Sequence, residues 1–172
     1  MKRLLTLFSY IFHPLFISVY ATLFYFVITQ DFLYRHEIYL VFIQVLILTV
    51  LLPVSLYFLL RSLGIIKSRN HIQKEERKMP LAFYSLLLFI LLNQSFSTVV
   101  VLELYYFFLG IFISTMLALM FALFNYKPSL HMMGITALTV FIISVSAYNH
   151  FTFLNLIAFL VVCTGFTASS RL

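Results

Sequence analysis

An all-α bundle of about six membrane-spanning helices is the fold class this chain predicts. Three observations predict it. The 172 residues are 63% hydrophobic and only 9% charged, whereas a soluble domain carries about 25% charged residues. Apolar runs of about 20 residues, the length that crosses a hydrocarbon core, recur along the whole chain. Polar residues gather in short connections between those runs, so neighbouring helices read as antiparallel hairpins in a single transmembrane domain, residues 1–172.

The first span is expected over 5–29. Its start, Met1-Lys2-Arg3 and then apolar residues, is like a secretory signal. The apolar run is too long for one, however, and no small-residue cleavage site interrupts it. His13-Pro14 lies inside the run and predicts a kink; His13 either packs in the bundle, the favoured reading, or faces the site. The second span, 38–61, holds Pro53, which predicts another kink. Residues 62–79 form a basic loop, too charged for hydrocarbon. Pro80 then suits the first turn of the third span, 80–97, where a missing N–H costs nothing. Asn93 and Gln94 read as its end.

The remaining spans are expected over 102–124, 130–148 and 151–168. Glu103, at the start of the fourth, reads as interfacial, because a carboxylate is costly deeper in the membrane. Gly110, Gly134 and Gly165 predict close helix contacts. The single cysteine, Cys163, lies in an apolar run and reads as a small core residue. It permits no intrachain disulfide and no cysteine-based metal site. Tryptophan is absent, so the interfacial belt falls to Tyr34, Tyr105, Tyr106, Tyr126 and Tyr148, all near expected helix ends.

Charge orients the chain. With six antiparallel spans, the N-terminus, the 62–79 loop, the 125–128 connection and the C-terminus share one face. That face carries nearly all the lysines and arginines, while the other has only Arg35. The positive-inside rule makes the basic face cytoplasmic, with the N-terminus on that side of an inner membrane. The net charge of +6 then matches anionic lipid head groups, and nucleic acid is not an expected partner.

Three polar clusters emerge on this face. The first holds Lys74, Arg77 and Lys78. It reads either as a solvated loop or as an anion site in which Arg grips phosphate oxygens. The second is Asn125-Tyr126-Lys127-Pro128-Ser129-Leu130-His131-Met132. Ser129 is placed to cap the fifth helix, whose N-terminus offers N–H groups and positive dipole charge to a phosphate. Lys127 adds a cation, and His131 in the first turn is able to move a proton near neutral pH. The plainer alternative is a capped helix with an interfacial histidine. The third cluster is Ser169-Ser170-Arg171-Leu172, where an arginine ordinarily anchors a helix end.

Taken together, the clusters resemble the type 2 phosphatidic acid phosphatase family of membrane phosphatases. The resemblance runs from about Arg69 to Leu172. Arg77 answers to the arginine of the family's first motif, although Pro80 follows three residues later instead of one and Asn70 stands where the family has lysine. Pro128, Ser129 and His131 answer to the second motif, with Leu130 in place of glycine, and Ser170-Arg171 to the start of the third. The resemblance implies His131 as general acid, with Arg77, Ser129 and Arg171 holding phosphate oxygens. Lys74 and Lys127 are further candidates for substrate binding. It also implies a phosphorylated lipid as substrate and neither metal nor other cofactor. The family's nucleophile is a second histidine beyond the third motif, and the chain stops at Leu172 before that position. The expectation is therefore a phosphatase-like protein with little or no activity in its 172-residue form.

The alternative function is a non-catalytic membrane protein that binds anionic head groups or a partner protein. A small transporter is a third reading, with little in the way of a midplane polar site to carry it. No acidic pairs of the prenyltransferase kind occur, nor Gly-x-Ser-x-Gly or His-Glu-x-x-His.

Overall fold

The computed structural model describes residues 12–64, 78–96, 101–126, 128–149 and 152–169. Among these residues there are six helices and no strand: α1 (Pro14–Thr29), α2 (Arg35–Ser62), α3 (Lys78–Gln94), α4 (Leu102–Leu123), α5 (Leu130–Tyr148) and α6 (Leu154–Ser169). Three of them, α2, α4 and α5, are long and apolar enough to cross a membrane. The other three have 16 or 17 residues. At 1.5 Å per residue they rise about 24–26 Å, short of a hydrocarbon core of about 30 Å.

The two prolines expected to kink their helices act differently. Pro14 is the first residue of α1. A residue before proline is pushed towards extended backbone, and His13 adopts it, with φ −66° and ψ 135°. Proline at this position sacrifices only an N–H that has no intrahelical partner. The site is thus the start of α1; the other arm of the expected kink, residues 1–11, lies outside the described residues. Pro53 lies within α2, directly after a π-helical turn over Ile47–Leu51 in which the Leu52 N–H bonds to the Ile47 carbonyl. A proline ring clashes with the carbonyl four residues before it. The wider turn accommodates that ring, and the helix continues through it.

Ring and hydroxyl contacts fix the helix directions. His13 of the α1 entry meets His131 in the first turn of α5, so these two helices begin at the same end of the bundle. Phe107 near the start of α4 packs on Phe141 in the second half of α5, with ring centroids 4.6 Å apart, which makes α4 and α5 antiparallel. Phe96, just past α3, packs on Tyr105 and Phe108 of α4. Thr139 of α5 lies 3.5 Å from Thr164 of α6, hydroxyl to hydroxyl. Helix α1 sits centrally, packed against α2, α4 and α5, and its Ile17 and Ala21 are fully buried in the core.

Of the three glycines expected at helix contacts, only Gly134 makes one among the described residues. A Cβ there would lie 3.1 Å from Ile17 Cγ1 and 3.5 Å from the Pro14 Cα. The sites at Gly110 and Gly165 open onto space. Cys163 is buried, as expected of a core residue. The outer surface is apolar, with Val27, Phe58, Val140 and Val162 among its exposed side chains. In water such a surface would associate, whereas in a bilayer it meets lipid chains. Tyr34, Tyr106, Tyr126 and Tyr148 are exposed at helix ends, as a belt requires.

Gly134→Leu should destabilise the bundle by about 1–3 kcal/mol through overpacking against α1. Gly165→Leu should be close to neutral. Unfolding in mixed detergent micelles measures both, and equal losses would remove the α1–α5 contact as the reason for Gly134.

Candidate functional site

The connection from α4 to α5 is built by two helix caps. Asn125 adopts φ 64°, a left-handed conformation that asparagine tolerates better than most residues. Its N–H bonds to the Ala122 carbonyl, and the Tyr126 N–H reaches back to Phe121. This is a Schellman end with asparagine in the usual glycine position, and the accompanying apolar contact is present between the rings of Phe121 and Tyr126. Helix α4 is closed there, and the chain turns into Pro128 and Ser129.

Ser129 then caps α5. Its backbone is extended and its Oγ accepts the Met132 N–H at 3.5 Å, a long bond. The first-turn N–H groups carry the positive end of the α5 dipole. His131 lies in that turn, half-buried, with its ring edge-to-face against His13 at a centroid distance of 5.2 Å and an interplanar angle of 85°. His13 caps α1, its Nδ1 accepting the Leu15 N–H at 3.4 Å. Two capped helix starts and two imidazoles therefore meet at one end of the bundle. Gly134 permits this, because its missing Cβ lets the α5 backbone approach Pro14.

Ser129 and His131 are thus brought together with His13. Lys74, Arg77, Lys127 and Arg171 lie outside the described residues, as does Ser170. The sequence leaves His13 either packed in the bundle or facing the site, with packing favoured; the structure puts its ring against His131. The signal was available: His13-Pro14 and Ser129 are both helix-start signatures, and a shared end brings their histidines within reach.

A second polar locus lies at the opposite end. Tyr25 of α1 donates a 2.8 Å hydrogen bond from its hydroxyl to Glu103 Oε2 in the first turn of α4. Glu103 is therefore tied into the bundle by one oxygen instead of simply lying at the interface. It also lines a groove of about 660 Å³ between α4 and α5. No sequence pattern pointed to Tyr25, which sits in an uninterrupted apolar run.

Comparison with known proteins finds no matching family model, curated protein or solved structure.

Ser129→Ala should cost about 0.5–2 kcal/mol, the usual effect of losing a helix cap. A double-mutant cycle of His13→Ala and His131→Ala should show coupling of about 0.5–1.5 kcal/mol, the range for paired rings. Strict additivity would mean that the two rings do not support each other.

Proposed function

We propose that this chain is a six-span protein of the cytoplasmic membrane. It seats the phosphate of an anionic lipid at the bundle end that carries Ser129 and His131. Lys74, Arg77, Lys127 and Arg171 supply the surrounding cations on the cytoplasmic face. The observation that carries the reading is the capped start of α5, with an imidazole in its first turn and a second imidazole against it. Helix N-termini favour phosphate through oriented N–H groups and the dipole. An imidazolium donates a charge-assisted hydrogen bond to a phosphate oxygen.

In the catalytic version, which the resemblance to lipid phosphatases supports, water attacks phosphorus as the phosphorus–alcohol bond breaks, His131 protonates the departing alcohol, the water's proton passes to the released phosphate, and Ser129, Arg77 and Arg171 hold the phosphoryl oxygens; without the family's nucleophilic histidine this reaction is expected to be slow. In the non-catalytic version the same groups bind the head group and release nothing. The shared end of α1 and α5 favours a role for His131 in either version, because it gathers polar groups where an apolar contact would pack as well.

Vesicles of phosphatidylcholine with and without phosphatidic acid test this with the purified full chain. Wild type should bind the phosphatidic acid vesicles selectively. His131→Ala should weaken binding roughly ten- to a hundredfold, the equivalent of one charged hydrogen bond. Phosphate release that His131→Ala abolishes selects the catalytic version. Binding with no release selects the head-group binder. Binding that survives His131→Ala but fails on neutralising Lys74, Arg77 and Lys78 removes the α5 start from the site. Indifference to phosphatidic acid overturns the proposal.

A further inference from the structure

The groove between α4 and α5 lies away from the histidine pair and has its own chemistry. It runs from Leu102 to Ser114 along α4 and from Met133 to Tyr148 along α5. Because the helices are antiparallel, Glu103 and Tyr106 share one end of it with Ser144 and Tyr148. At 1.5 Å per residue, the α4 wall is about 18 Å long. One leaflet of hydrocarbon is about 15 Å deep, half of a core of about 30 Å. The groove is therefore the length of a single lipid chain.

Its walls match an amphiphile. The Glu103 end is aromatic and acidic, with exposed Tyr106 and Tyr148 beside the carboxylate. Farther along, Gly110 leaves the groove open, and no atom lies within 4 Å of where its Cβ would be. Glu103 accepts one hydrogen bond, from Tyr25, and that bond occupies only Oε2. Among the described residues no ion pair neutralises the carboxylate. It lies in the first turn of α4, at the positive end of the helix dipole. An anion held in this position between tyrosine rings is suited to a cationic head.

The geometry points to a binding site for a membrane amphiphile with an ammonium head, the head on Glu103 between Tyr106 and Tyr148 and the chain along Gly110. A second copy of the chain is the competing occupant, since Gly110 and Ser114 have the small-residue spacing of helix pairs. A two-fold copy about the membrane normal would, however, place one Glu103 beside the other at equal depth. Like charges in that setting repel, while an ammonium head removes the charge.

Native mass spectrometry of the full chain in detergent tests the assignment with three added lipids. These are phosphatidylethanolamine, its N-acetyl derivative, which lacks the cation, and phosphatidylglycerol. Wild type should retain phosphatidylethanolamine at least about tenfold more than either control, the equivalent of roughly 1.4 kcal/mol. Glu103→Gln keeps an acceptor for Tyr25 and should erase the preference. Gly110→Leu fills the groove in open space and should remove retention altogether. Both variants should melt as wild type does. Equal retention of the three lipids, or a preference that survives Glu103→Gln, overturns the assignment. So does a dimer that Gly110→Leu dissociates while Glu103→Gln leaves it intact. The histidine variants of the phosphate site should leave this preference unchanged, which separates failure here from failure there.

Discussion

Every polar atom in this bundle must find its partner inside the protein, because an apolar surround offers none. An unpaired amide or hydroxyl in such a setting costs several kcal/mol. The helices meet the constraint locally. Thr22, Thr49, Thr115, Thr139, Thr164 and Thr167 each donate to the carbonyl four residues earlier. Only Thr139 and Thr164 of these also reach across, hydroxyl to hydroxyl, between α5 and α6; elsewhere packing falls to ring contacts and small residues. Ser95 is the exception: its buried hydroxyl oxygen has no hydrogen-bond partner among the described residues, whereas Ser18 faces the Tyr84 hydroxyl. Side-chain hydrogen bonds between helices are correspondingly few among the described residues, which makes the Tyr25–Glu103 bond the conspicuous one.

The same constraint explains the prolines. A proline removes a donor and thereby orphans a carbonyl. At Pro14 the loss falls where helices have no acceptor to offer, and His13 turns the entry into a cap. At Pro53 a π turn widens the helix and Leu52 bonds five residues back. The α1 solution also delivers His13 to the α5 start, so a backbone necessity positions one half of the imidazole pair.

Much of this was legible in the chain and some was not. Apolar run length placed all six helices, because it reports directly on what must be hidden from water. Ser129 as a cap and Asn93-Gln94 as a helix end followed from local hydrogen-bond chemistry, which needs only a few neighbouring residues. The glycines were over-read: the spacing of small residues cannot say which of Gly110, Gly134 and Gly165 has a backbone opposite it. His13–His131 and Tyr25–Glu103 join residues more than 75 positions apart. Such contacts depend on how helices pack, and periodicity within one helix carries no information about that. The basic cluster is conspicuous as charge, yet Lys74 and Arg77 lie outside the described residues, and Lys78, expected in the 62–79 loop, is already the first residue of α3, so the place of the other two relative to His131 rests on topology.

The Tyr25–Glu103 bond also bears on how the chain comes to be assembled. Its partners are 78 positions apart. At synthesis rates of about 5–20 residues per second, Glu103 is made roughly 4–16 s after Tyr25. During that interval the Tyr25 hydroxyl lacks the acceptor it bonds in the finished bundle. Helix α1 therefore reaches its final setting only after α4, and then α5, on which it also packs, have been made.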